Sequence, residues 1–170
     1  MNEIINRVAI SPIVTIDLED YYTPGERVGF DLKEFLFQGI VLKEKDYREA
    51  LKKLEWGKYK GKQVAVFCGV DAILPTWAFM LAMTYLEGIA AEAIVGDLEA
   101  LEQYLFQKSL TSINSLDYED KPVVVKGCSK LPVPIFAYGE ITKKLMGKAR
   151  SIMYGEPCST VPLYKKQKRH

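Results

Sequence analysis

The chain has 170 residues, 48% hydrophobic and 26% charged, the profile of a globular protein able to bury a full core. A net charge of +1 supplies no global basic field, so no nucleic-acid partner is expected. The single histidine is His170, which excludes a triad built on an internal imidazole and zinc sites built on two histidines; a general base must be a carboxylate, lysine, tyrosine or thiolate.

The opening residues, Met1 to Ile10, lack a basic region and a long apolar run, so no secretory signal is expected. Ile13 to Leu18 reads as a strand rich in β-branched residues. Glu19 to Glu26 is a loop with Pro24-Gly25 turn chemistry, and Arg27 to Phe30 is a second short strand. Asp31 can cap a helix over Leu32 to Phe37 that Gly39 ends. Tyr47, Ala50, Leu51 and Leu54 recur at three- and four-residue steps and predict a helix over Lys43 to Leu54.

From Lys62 onward strands and helices alternate. The strands are Gln63 to Cys68, Ala91 to Val95, Pro122 to Lys126 and Ser151 to Tyr154. The helices run from Ile73 to Glu87, Leu98 to Ser109 and Pro134 to Lys148. Such alternation predicts βαβ units. The fold class is α/β: a mainly parallel sheet flanked by helices, with an N-terminal strand and helix extension. One domain is expected over 1–170, made of a mixed segment (1–60), a βαβ core (61–164) and a basic tail (165–170). The apolar stretch from Ala72 to Leu86 is too short for a membrane helix and contains Pro75, so it reads as a core helix, with Trp77, Phe79, Met80, Met83 and Tyr85 inside. No membrane association is expected. The location read from this pattern is cytoplasmic, with three reduced cysteines.

Each cysteine falls at the end of an apolar run. Lys121-Pro-Val-Val-Val-Lys-Gly-Cys128-Ser129-Lys-Leu-Pro132 and Ser151-Ile-Met-Tyr-Gly-Glu-Pro-Cys158-Ser159-Thr-Val-Pro162 share the pattern Cys-Ser-x-aliphatic-Pro. Cys68 closes Val64 to Cys68. In an open parallel sheet, ligands bind at the carboxyl ends of strands. Cys68, Cys128 and Cys158 are therefore candidate ligands for zinc or an iron–sulfur cluster with one open position. No C-x-x-C pair is present, and cysteine also packs as a small hydrophobe. A second reading makes Cys128 a nucleophile near a helix N-terminus, with Lys126 and Lys130 beside it. Backbone NH groups around Gly127 and the hydroxyls of Ser129 and Ser159 are candidate anion donors, although serine here is also a helix-cap residue. Asp71 is a candidate ligand or acid/base group, or the N-cap of the next helix. Asp17, Glu19, Asp20, Tyr21, Tyr22 and Glu26 make an acidic, aromatic loop that reads as a lid, a partner surface or a solvated loop.

Asn6-Arg-Val-Ala, Ile16 to Tyr22, Asp71 to Ala78, Val123 to Ser129 and Ser151 to Pro162 resemble an uncharacterised bacterial family, found mainly in Bacteroidetes and known as domain of unknown function 2480. The resemblance covers nearly the whole chain and transfers no catalytic residue. It implies members that lie near iron–sulfur assembly components. The leading expectation is therefore a thiol-lined metal or iron–sulfur accessory protein, with iron–sulfur assembly proteins as partners. The alternatives are a cysteine-dependent enzyme or small anionic ligand binder at the strand rim, and an interaction module with structural cysteines.

Overall fold

A computed structural model describes residues 13–127 and 130–167. Two main sheets form. In the first, β2 (Arg27–Asp31), β5 (Gln63–Phe67) and β6 (Glu92–Val95) are parallel, in the order β2-β5-β6. In the second, β1 (Val14–Asp17), β7 (Pro122–Lys126) and β8 (Ser151–Glu156) are parallel, and β9 (Ser159–Lys165) adds antiparallel to β8. A short hairpin joins β3 (Leu36–Phe37) to β4 (Val41–Leu42). The helices are α1 (Glu44–Lys53), α2 (Thr76–Leu86), α3 (Leu98–Leu110) and α4 (Ile135–Leu145). The α/β class and the helix-flanked parallel strands hold, but the expected single sheet is two. The first two strands add at the sheet edges: β1 pairs with β7 and β2 with β5.

The chain forms two compact units. Unit 1 is Met1–Thr23 with Leu105–His170, and unit 2 is Pro24–Tyr104. Each has its own core. In unit 2, Ala78, Ala82 and Leu86 recur every four residues on α2 and pack with Val64, Val66 and Phe30, joined by Tyr47 and Leu51 of α1. The buried Tyr47 hydroxyl donates to the Ala78 carbonyl at 2.9 Å, and burial pushes the phenol well above its ordinary range. In unit 1, Ala137, Ile141 and Leu145 of α4 pack with Ile16, Val123, Val125 and Ile152.

These matching lists have a simple origin: the two units repeat one topology. Pro122 stands 59 residues after Gln63, Ile135 59 after Thr76 and Ser151 59 after Glu92, so β5-α2-β6 and β7-α4-β8 superpose in sequence without a gap. Identities fall where geometry demands them: Pro75 and Pro134 before each helix, Ala78 and Ala137 inside it, Leu86 and Leu145 at its end. Gly88 (φ 73°) and Gly147 (φ 77°) follow each helix in the left-handed region that favours glycine. The first strands repeat as well. Val28-Gly-Phe-Asp31-Leu32 answers Val14-Thr-Ile-Asp17-Leu18, and the registers Val28–Val64 and Val14–Val123 are equivalent.

Several local expectations are corrected. The helix expected over Leu32 to Phe37 is a 3-10 turn at Leu32–Phe35, after which β3 begins. Met80 is 64% exposed rather than core. Asp71 does not cap α2, because the chain runs on to Pro75 before the helix begins. A parallel bridge between Val41 and Ile73 keeps that stretch extended. Asp97 does cap α3, with Oδ1 accepting from the Ala100 amide at 2.8 Å.

Candidate functional site

All three strands of the unit 2 sheet run the same way, so their carboxyl ends share one rim. Asp31 closes β2 there. Its Oδ1 accepts from the amides of Lys33 and Gly69, both at 2.9 Å, which ties the loop after β5 to the end of β2. The approach is close: a Cβ on Gly69 would lie 2.5 Å from Asp31 Oδ2. Burial works against ionising Asp31, but the two amides and the Lys33 ammonium outweigh it and hold the carboxyl below its ordinary value. At the end of β6, the Gly96 amide extends the ladder to the Val66 carbonyl at 2.9 Å, and its φ of 152° leads into α3.

Between these strand ends lies an open cavity of about 350 Å3, lined by Phe67, Cys68, Asp71, Leu74, Phe79 and Val95 among others. It falls at the lower end of the usual ligand-pocket range, roughly 300 to 1,000 Å3. Two residues singled out in the sequence, Cys68 and Asp71, are thus brought to one cavity. Cys68 is half-buried and free of any disulfide, and Asp71 is exposed.

The corresponding rim of unit 1 is charged. Lys126, at the end of β7, pairs with Asp17 at 3.4 Å and with Glu156 at 3.6 Å. Glu19 Oε1 accepts from the amides of Lys130 (3.1 Å) and Leu131 (3.3 Å) and so holds the loop after β7. Gly127 is required by contact, because a Cβ there would run into the Tyr138 hydroxyl. Unit 2 carries Cys68 and Phe79 at the matching positions, and both line the cavity. Cys128 and Ser129 lie outside the described residues.

Cys158 and Ser159 are placed differently from their expected setting. Cys158 is exposed in the two-residue turn between Glu156 and Ser159, and antiparallel β9 follows instead of a helix. Pro162 sits within β9, so the two Cys-Ser-x-aliphatic-Pro stretches do not mark the structural repeat. A fixed offset of 59 residues was the signal that would have found it. Among the described residues, no group of three or more His, Cys, Asp or Glu side chains is placed to hold a metal ion. The acidic, aromatic loop is anchored. Asp17 Oδ1 accepts from the Glu19 amide at 3.0 Å, and Tyr21 and Tyr22 pack against the unit 1 core. Burial, then the neighbouring Tyr118, raises the Tyr21 phenol. No helix among the described residues is long and apolar enough to cross a membrane.

The fold and this cavity define a duplicated α/β protein with a ligand-sized opening at the carboxyl rim of one copy. The chain belongs to the family described as a protein of unknown function (DUF2480), whose model matches residues 2–166. No curated protein and no solved structure matches the chain.

Proposed function

We propose that the chain is a thiol-bearing small-ligand protein, with Cys68 as the contact or reacting group in the unit 2 rim cavity. The observation that carries this reading is the meeting of Cys68 and Asp71 in one opening at the carboxyl end of parallel strands. Phe67, Leu74, Phe79 and Val95 favour a mostly apolar molecule, and Asp71 favours a cationic or hydrogen-donating group on it. Cys68 supplies a soft nucleophile for an electrophilic centre.

The test is a panel of small chloroacetamides applied to the Cys128→Ser/Cys158→Ser protein, with adducts counted by intact mass. Apolar members carrying an amine should label Cys68 fastest, and Asp71→Asn should remove the preference for the amine. Labelling that ignores fragment chemistry would sink the proposal. Stoichiometric zinc or iron with sulfide, bound by the parent and lost in the double variant, would move the function to Cys128 and Cys158 and to the metal reading.

A further inference from the structure

A second opening lies at the other end of unit 1, where β7 and β8 begin and β9 ends. Three backbone hydrogen bonds frame it: the Asp120 amide to the Lys148 carbonyl, Arg150 to Lys121, and Lys166 to Arg150. The result is an open groove of about 1320 Å3. Its charged lining is Lys148, Arg150, Lys165 and Lys166 against Glu119 and Asp120.

The balance within the groove matters more than the count. Lys166 is held by Asp120 at 2.8 Å. Lys148, Arg150 and Lys165 have no ion-pair partner among the described residues. Neighbouring strands stand about 4.8 Å apart, so Arg150, just before β8, and Lys165, in register with Ser151, set unpaired cations on neighbouring strands along one edge, with Lys148 two residues before Arg150. With a chain total of +1, this excess is local. Tyr164, half-buried on β9, adds an aromatic wall.

A row of cations suits a flexible polyanion with one charge per unit of its backbone. A flat bilayer does not enter a concavity, and a single small anion needs converging donors rather than a row. An aromatic wall beside the cations gives a base somewhere to stack. We propose that this groove binds single-stranded nucleic acid through its phosphates. Lys148, Arg150 and Lys165 neutralise charge, and Tyr164 offers the stacking surface.

The test is fluorescence anisotropy of the full chain with a labelled oligouridine of about 20 nucleotides, longer than the roughly 4 to 16 that one single-strand site takes. Phosphates neutralised at these three cations predict that log K falls with log salt at a slope of about −2, from roughly −0.7 per contact on a single strand. Lys148→Gln/Arg150→Gln/Lys165→Gln should bring the slope to about zero and weaken binding by at least about tenfold near 50 mM salt, without moving the thermal midpoint. The proposal is overturned by no binding near 20 mM salt, where the electrostatic contribution is greatest, at roughly micromolar protein. Binding that the triple variant retains overturns it too. Tighter binding to polyglutamate or to phosphatidylserine vesicles assigns the groove to an acidic protein or a lipid surface instead.

Discussion

Asp31 is one of a pair of aspartates doing equivalent work at the two strand ends. It accepts from Lys33 two residues on, as Asp17 accepts from Glu19, and it also holds Gly69 after the central strand. Because its carboxyl is held low, the sign of its pH dependence is set. The contribution is complete above the unfolded value near 3.8 and is lost as pH falls through the lower folded value. Asp31→Asn should therefore cost about 1 to 2 kcal/mol at neutral pH, the range for a cap that also satisfies a second amide. Urea midpoints at pH 7 and pH 3 check it: the gap between parent and variant should narrow at the acid end. A gap of constant size would mean that the charge contributes nothing. The cap was legible in the sequence, since Asp before an apolar residue is a common start signal. The bond to Gly69 was not, because it joins residues brought together only by strand pairing.

The repeat makes α2 and α4 controls for each other. Both begin after proline with no side-chain cap, and both bury Ala, Ala or Ile, and Leu at four-residue steps. They differ where they meet the strand ends, with Phe79 beside Cys68 in one copy and Tyr138 beside Gly127 in the other. Gly127→Ala should destabilise by about 1 to 3 kcal/mol through overpacking. Tyr138→Phe should recover part of that loss, giving a coupling of about 1 kcal/mol in a double-mutant cycle of denaturant unfolding. Additive effects would show that the hydroxyl moves aside freely. The strands were legible because Val64 to Val66 and Val123 to Val125 are fully or almost fully buried and read as unbroken apolar runs. Their division between two sheets was not, since an apolar run carries no record of its neighbour. β9 escaped notice because Pro162 interrupts its pattern, and a proline within a run argues against a strand.

At the scale of the whole molecule, one topology has been used twice and its two rims have diverged. Unit 1 carries an ion-paired rim around Lys126, and unit 2 a rim with a thiol and an apolar cavity. The alternation of strands and helices pointed correctly to an α/β chain, and the apolar run before Cys68 pointed correctly to a strand end there. Of the three thiols expected to group, Cys128 lies outside the described residues. Cys68 belongs to unit 2 and Cys158 to a hairpin turn of unit 1. The whole-chain balance also hid the cationic groove, whose charges are spread through the sequence from Lys148 to Lys166.

The most direct test of the central claim is the rate at which iodoacetamide labels Cys68 in the folded Cys128→Ser/Cys158→Ser protein, followed by intact mass across pH and compared with the same protein in denaturant. The account predicts labelling of the folded chain that slows when an apolar amine ligand occupies the cavity. Labelling seen only after unfolding would contradict it and make Cys68 a packing residue.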